Sequence, residues 1–284
     1  MPATTRPKDE IQSPVERLLA SIRGLRKRQS SKGAHFYRTS LRRFQSWRDV
    51  AKPELVKNQE QALKLLEKLR KATGKLRDSE VHLELLDKIE GAPAKEKKKI
   101  EKALKAQRKS AKEKLLNLLT KADVKQALPE LRHIGEPPAA SPDTGDRPLT
   151  AADQLALDQY RAFVQSRAPL SPENLHSYRL ACKAFRYTAE LAGETPHVGS
   201  LVEIWRKVQD VSGDWHDYLV LSELAEEVAG DGPLHSLLIG LRDKKYDEAV
   251  IAVQEAERKL VGQEAQVPKK EPRRASPQRR RRAV

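Results

Sequence analysis

The chain has 284 residues and carries 55 Lys and Arg against 40 Asp and Glu, which gives a formal charge of +15. This excess predicts a polyanionic partner but does not distinguish nucleic acid, a phosphate polymer and an anionic membrane surface. The sequence contains no apolar run of about 18 residues, so no transmembrane helix is expected. Residues 1–14 lack the apolar segment of a secretory signal. The single cysteine, Cys182, cannot form an internal disulfide. We therefore expect a cytoplasmic protein without membrane insertion.

Helical periodicity and capping signals dominate the first half of the chain. Ser13, Pro14 and Glu16 resemble a capping box with proline at the first helical position. Gly74 and Gly91 are candidate helix ends, because glycine disfavours a helix interior. The first half is therefore predicted to form helices at about 14–27, from after Gly33 to about 50, and at 53–75, 79–89 and 95–126.

The second half shows the same kind of pattern after a proline-rich stretch at 134–149. Residues 150–153 are a plausible helix start, and Ser171 with Pro172 begins the next helix. Further helices are predicted at about 198–211, 215–229, 234–242 and 245–262. No segment alternates apolar and polar residues with β-branched enrichment, so the fold class is predicted to be all-α.

Two distant segments carry the same basic pattern. Each has a histidine, an arginine three residues later, a second cation at seven and a phenylalanine at nine. At about 100° per residue, the histidine and both cations fall within a helical stripe about 80° wide. A row of cations on one helix face suits an extended anion, and arginine binds phosphate oxygens with a two-pronged donor. The stripe residues are His35, Arg38 and Arg42 in the first segment and His176, Arg179 and Lys183 in the second.

A second motif, a glycine followed by an aspartate four residues later, repeats at nearly the same distance from the two histidine motifs. Gly74 precedes Arg77 and Asp78, and Gly213 precedes His216 and Asp217. The histidines of the two segments are 141 residues apart and the two glycines are 139 apart. Two motifs that repeat at nearly the same separation indicate an internal duplication. We predict two pseudo-symmetric helical bundles packed around a central basic groove: repeats at 13–133 and 150–262, a linker at 134–149, and flexible or disordered ends at 1–12 and 263–284.

These motifs resemble those of the CHAD domain (conserved histidine α-helical domain). The resemblance rests on His-x-x-Arg-x-x-x-Arg-Arg from His35, His-x-x-Arg-x-x-x-Lys-x-x-Arg-Tyr from His176, and Gly-x-x-Arg-Asp from Gly74. It covers most of residues 13–262 and implies a helical protein of two halves that binds inorganic polyphosphate and associates with polyphosphate granules. At two positions where the family usually has arginine, this chain has Gln45 and Ala184.

The resemblance and the repeated stripes define a predicted binding set. Lysines at helical spacing on the following helix form a secondary basic surface. The binding set is His35, Arg38, Arg42, Arg43, Arg77, His176, Arg179, Lys183, Arg186 and Tyr187, and the secondary surface is Lys64, Lys68, Lys71 and Lys75.

Several of these residues have a structural alternative. The histidines could make structural hydrogen bonds, and Tyr187 could pack in the core instead of donating its hydroxyl to phosphate. Asp78 and Asp217 are expected to cap a following helix or to pair with a motif arginine. The three tryptophans are interpreted as core residues rather than as platforms for nucleic-acid bases.

No common enzyme signature occurs in the sequence, and no cofactor or metal site is predicted. Phosphoryl transfer normally uses metal ions held by carboxylates, whereas the repeated faces carry cations. Binding of polyphosphate without turnover is therefore the leading hypothesis. The first alternative is nonspecific DNA or RNA binding through the same faces and the arginine-rich C-terminal tail. The second is an enzyme that acts on phosphate chains, with His35 or His176 as the phosphoryl acceptor. The sequence does not determine the oligomeric state.

Overall fold

The computed structural model describes residues 13–134 and 151–264. Over these residues the chain forms nine α-helices, one 3-10 turn (Glu190–Ala192) and no β-strand. The predicted all-α fold is confirmed. The helices are α1 (Pro14–Lys27), α2 (Ser31–Ala51), α3 (Lys57–Lys88), α4 (Ala94–Thr120), α5 (Ala122–His133), α6 (Ala152–Ser166), α7 (Pro172–Ala189), α8 (Pro196–Ala229) and α9 (Pro233–Glu264).

The first half has its own apolar core. Leucines and aromatic side chains of α1 and α2 pack against α3, the C-terminal part of α4, and α5. Tyr37 is fully buried at the centre of this core, and its hydroxyl donates a hydrogen bond of 2.9 Å to the carbonyl oxygen of Leu66. This bond satisfies the hydroxyl group of Tyr37, which would otherwise destabilise the fold if it were buried without a partner.

The second half packs in a corresponding way. Its core joins α6 and α7 to the N-terminal part of α8 and the C-terminal part of α9. Trp205 and Tyr178 are almost fully buried there, and Trp215 is 3% exposed. These contacts confirm the interpretation of Trp205 and Trp215 as core residues, and Trp47 packs at the edge of the first core.

A third apolar cluster joins the two halves. It lies where the end of α3 and the start of α4 meet the end of α8 and the start of α9, with Leu86, Ile100, Leu221 and Leu234 at most 3% exposed. Glu96 adds a hydrogen bond between the halves: its Oε2 accepts a bond of 3.0 Å from the backbone N–H of Leu234. The halves therefore share apolar surface at this end of the molecule, in addition to the contact between α2 and α7.

The predicted helix starts at Pro14 and Pro172 are confirmed, but several predicted breaks are wrong. The α3 helix begins at Lys57 rather than at Pro53 and continues through Gly74 to Lys88. Likewise α8 continues through Gly213, and α9 has no break near 242–245. Conversely, the single helix predicted for 95–126 is divided at Lys121, whose backbone is extended.

The continuity of α3 and α8 also corrects the predicted role of two carboxylates. Asp78 and Asp217 lie in the interior of these helices, so neither residue caps a helix start. A helix interior uses its backbone N–H groups in its own hydrogen bonds, which leaves both side chains available for other partners.

Three predicted segments lie outside the described residues: the N-terminal twelve residues, almost all of the 134–149 linker, and the tail beyond 264. The repeat boundaries and the internal duplication therefore stay predictions, although both halves present a short helix, a motif helix and a long helix in the same order. Among the described helices, none is long and apolar enough to cross a membrane.

Candidate polyanion site

The motif helices α2 and α7 pack against each other at the interface between the two halves. Each begins at a serine: Ser30 accepts a hydrogen bond of 3.1 Å from the N–H of Gly33, and Ser171 forms a capping box with Asn174. Tyr37 and Tyr178 are buried on the apolar faces of these helices. Because residues three and four apart share a helix face, the motif cations are directed away from the cores.

A glycine accommodates the first arginine of each motif. Nη1 of Arg38 lies 2.7 Å from the position that a Cβ on Gly74 would occupy, and Nη2 of Arg179 lies 3.3 Å from the corresponding position on Gly213. Arg38 also donates a hydrogen bond of 3.1 Å to the carbonyl oxygen of Arg70. Each glycine therefore allows a guanidinium to lie directly against a long helix, and the two halves repeat this arrangement.

Four cations, here called the groove cations, come together from the two halves: Arg38, Arg42, Arg179 and Lys183. Burial lowers the pKa of Arg42 to about 10; the nearby Tyr187 opposes this lowering, and Arg38 and Arg179 add to it. Burial also lowers the pKa of Lys183 to about 6, and the charges of Arg179, Arg42 and Arg38 contribute in that order. Like charges held this close at partly buried positions repel one another, so the neutral form of Lys183 is favoured.

Two carboxylates, one from each half, accompany the groove cations. Burial raises the pKa of Asp217 to about 6, Arg179 acts in the opposite direction, and Asp78 raises it further. Burial also lowers the pKa of Arg179, whereas Asp217 and then Asp78 raise it. Both carboxylates lie near enough for their charges to act on Arg179, and their pairing with a motif arginine stays a prediction.

The motif histidines lie on the rim of this cluster in different surroundings. The rings of His176 and His216 are in contact, with centroids 4.5 Å apart and planes tilted by 42°. The Nδ1 atoms of both are buried without a hydrogen-bond partner among the described residues. Burial lowers the pKa of His176, and Arg179 and Lys183 lower it further. His35 is exposed, and partial burial, Arg77 and Arg38 lower its pKa. Both rings therefore favour the neutral form near pH 7.

One further histidine, His82, lies near His216. Burial lowers the pKa of His216 to about 4, with His176 as the next cause. His82 is 5% exposed, and its Nε2 lies 3.8 Å from Oδ1 of Asp217. Sequence reasoning did not select His82, because a lone histidine inside an amphipathic helix carries no motif.

The remaining predicted residues divide between the groove and its edge. Nη1 of Arg77 donates a hydrogen bond of 3.1 Å to Oγ of Ser31, beside the start of α2. Arg43 and Arg186 both bond to Glu190. Tyr187 is buried, and its ring centroid lies 4.2 Å from Cζ of Arg186.

The predicted secondary lysines are exposed on α3. Of these four, Lys75 also lines a cavity of about 640 Å³ between α3, α4 and α8. Asp78 and His82 line the same cavity, together with Glu223 and Glu227 of α8. Its mixed charge distinguishes this cavity from the cluster of groove cations, where cations outnumber carboxylates.

Glu190 is the main site residue that sequence reasoning missed. It is the C-cap of α7 and the first residue of the 3-10 turn, where it contacts arginines of both halves. Its only sequence signal is the spacing of four residues from Arg186, which places the two side chains on one helix face. The contact with Arg43, 147 residues away, is a tertiary one that no local pattern indicates.

Residues 11–226 match the CHAD domain, which is about three quarters of the chain. The chain therefore belongs to the CHAD domain family, and this membership fits polyphosphate-related binding. The match includes α1 to α7 and nearly all of α8, and it ends before α9.

Among solved structures, the fold is similar to that of PptA from Streptomyces chartreusis. The TM-score is 0.63 at 19% sequence identity, and the alignment covers 87% of this chain and 95% of that one. At this identity the likeness shows a shared fold. No curated protein gave a significant sequence match.

Proposed function

We propose that this protein binds inorganic polyphosphate in the groove between α2 and α7, without turning it over. The observation that carries the proposal is the convergence of the four groove cations from both halves, where burial and then mutual repulsion favour a neutral Lys183. A chain of phosphates brings regularly spaced negative charge, so it relieves this repulsion along its length. Membership of the CHAD family supports the choice of polyphosphate among polyanions.

The other predicted residues have supporting roles in this proposal. Near pH 7 a neutral His35 or His176 offers one ring N–H to a phosphate oxygen without adding to the repulsion. Arg77, held by Ser31, extends the cationic path beyond Arg38 toward the start of α2. The exposed lysines of α3 add a weaker, salt-sensitive attraction.

Binding without chemistry is supported by the composition of the groove. The charges of Asp78 and Asp217 act on Arg179, so in this proposal the two carboxylates help to hold a guanidinium rather than to hold a metal ion. Within residues 13–134 and 151–264, no cluster of His, Cys, Asp or Glu has the arrangement needed to hold a metal ion. Incubation of the protein with chains of defined length, with and without divalent metal, tests this part: the length distribution should remain unchanged.

The first experiment separates polyphosphate from nucleic acid. Calorimetric titration of residues 1–267, which lack the C-terminal arginine cluster, should give saturable binding of long-chain polyphosphate and weak binding of duplex DNA at equal phosphate. Affinity should rise with chain length until the groove is filled, and it should fall as salt is raised. Equal, salt-labile binding of both polymers would instead favour the nucleic-acid alternative.

A second experiment tests the groove itself. Replacement of the four groove cations by alanine should lower polyphosphate affinity by at least about 100-fold, because each charge-assisted hydrogen bond contributes about 1.5–3 kcal/mol. Helix content, measured by circular dichroism, should be unchanged. A matched control replaces Lys64, Lys68, Lys71 and Lys75 by alanine and should have a smaller effect. Parent-like binding by the groove variant would contradict the proposed site.

Association with polyphosphate granules in the cytoplasm is part of the same proposal. It rests on family membership and on the groove chemistry. A fluorescent fusion should concentrate at polyphosphate-rich bodies, and the four-alanine groove variant should be dispersed. Concentration of both proteins at the same bodies would indicate recruitment by another surface.

A further inference from the structure

Glu190 joins the two motif helices at one edge of the groove. Its Oε2 accepts a hydrogen bond of 3.0 Å from Nε of Arg43 on α2, and its Oε1 accepts one of 3.0 Å from Nη1 of Arg186 on α7. Each carboxylate oxygen therefore binds one guanidinium, and the two guanidinium groups come from opposite halves of the protein. Two non-bridging oxygens of a phosphate group can make the same pair of contacts.

A third arginine lies beside this pair. Burial is the largest cause of the lowered pKa of Arg17 in α1. The charge of Arg43 lowers this pKa further, and the charge of Glu190 raises it. The Nε atoms of Arg17 and Arg186 are buried and have no hydrogen-bond partner among the described residues. Arg43 and Arg186 therefore bind the Glu190 carboxylate, Arg17 lies near enough to be affected by its charge, and two of the three arginines retain an unused donor. This arginine triad (Arg17, Arg43 and Arg186) has capacity for more negative charge than Glu190 supplies.

Glu190 also occupies an unfavourable place in its own helix. It is the C-cap of α7, and a negative charge at a helix C-terminus opposes the helix dipole. The arginine contacts outweigh this effect, which explains why the side chain lies on the triad. The side chain of Arg43 is 31% exposed and that of Glu190 is 18% exposed, so the contact is accessible from solvent.

We propose that Glu190 is an internal competitor of the polyanion: its carboxylate occupies a phosphate subsite of the arginine triad, and a phosphate group of the bound chain displaces it. This inference rests on the proposed function and adds a regulatory element to it. The displaced carboxylate needs only a side-chain rotation, because the main chain of Glu190 is fixed by the bond from its N–H to the carbonyl oxygen of Arg186. The affinity for polyphosphate then depends on how much more strongly a phosphate group binds the triad than the Glu190 carboxylate does.

The test compares Glu190→Gln with the parent in the full-length chain. The amide keeps the shape but removes the charge, so the triad loses its resident anion. Long-chain polyphosphate should bind about ten-fold more tightly, and the slope of log K against log salt should become steeper by about one to two. Glu194→Gln, four residues further along at an exposed position, is the control for the change in net charge and should bind like the parent.

Two results separate this inference from the proposed function. If Glu190→Gln binds no more tightly than Glu194→Gln while the parent binds polyphosphate, Glu190 only positions the arginines and the inference is overturned. If the parent does not bind polyphosphate, the proposed function itself fails.

A measurement on the parent avoids dependence on how the variant folds. The Nε–H resonance of Arg43, assigned with Arg43→Lys, should shift when polyphosphate replaces the Glu190 carboxylate as its acceptor. An Arg43 Nε–H signal that stays unchanged at saturation would overturn the proposal.

Discussion

The guanidinium of Arg38 lies where a side chain on Gly74 would begin, with Nη1 2.7 Å from the position of a Cβ on that glycine. An alanine at position 74 therefore collides with the end of a flexible side chain and not with the backbone. Gly74→Ala should displace Arg38 from the carbonyl oxygen of Arg70 and weaken polyphosphate binding about five-fold, which corresponds to roughly one hydrogen bond. Calorimetric titration measures this loss.

The stability of the same variant should behave differently from its affinity. Alanine in a helix interior is favoured over glycine by about 0.5–1 kcal/mol, which offsets the lost hydrogen bond. The melting temperature of Gly74→Ala should therefore stay close to that of the parent. Gly240→Ala is the control, since nothing lies within 4 Å of a Cβ at that position. An unfolded Gly74→Ala variant would contradict the view that only the arginine moves.

Lys183 should reduce the stability of the unliganded protein. Its folded pKa of about 6 lies below the ordinary 10.5, so the unfolded chain binds more protons between these values and stability rises with pH across this window. The destabilisation that Lys183 causes is therefore greatest below about pH 6. Lys183→Met should stabilise the protein by about 1–2 kcal/mol at pH 6, with a smaller gain at pH 9. Thermal unfolding at both pH values measures this, with the exposed Lys71→Met as control.

Polyphosphate binding should take up protons. The negative chain favours charged Lys183 and protonated Asp217, whose pKa values in the free protein are both about 6. Affinity should therefore increase as the pH falls from 8 to 6. Calorimetry in Tris and in PIPES, which differ in ionisation enthalpy, gives the number of protons directly. Identical apparent enthalpies in the two buffers at pH 7 would show that neither group titrates on binding.

Cys182 should be unreactive in the folded protein despite its place beside Lys183. The residue is fully buried, and burial raises the pKa of its thiol. The reactive thiolate is therefore disfavoured, and a reagent has no access to it. A colourimetric thiol reagent should modify Cys182 rapidly in denaturant and only at the rate of opening in buffer. Rapid native labelling would contradict the packing of α7 in the second core.

Local patterns in the sequence were sufficient for the motif helices and their cationic faces. The periodicity of His35, Arg38 and Arg42 depends only on helix geometry, and the repeat 141 residues later strengthens it. Gly74 and Gly213 were misinterpreted because local propensity counts glycine as a helix breaker. Their reason for being glycine is an arginine from another helix, and this close approach exists only after the helices have packed.

Pairings between distant residues could not be predicted in the same way. Glu190 contacts Arg43 across 147 residues, and His82 approaches Asp217 across the two halves. Neither contact has a local signature, since the first depends on how α7 packs against α2 and the second on how α8 packs against α3. Local patterns therefore predict which cations share a helix face, whereas the balance of charges around them depends on the tertiary structure.

The apolar cluster shared by α3, α4, α8 and α9 has a mechanical consequence. Spreading the two halves apart would expose Leu86, Ile100 and Leu221 to water, at a cost of about 1.5–3 kcal/mol for each side chain. Separation of the two halves is therefore disfavoured, and a polymer bound between α2 and α7 should meet a site whose width changes little. Most of the ordering needed for the proposed binding then falls on the flexible ligand rather than on the protein.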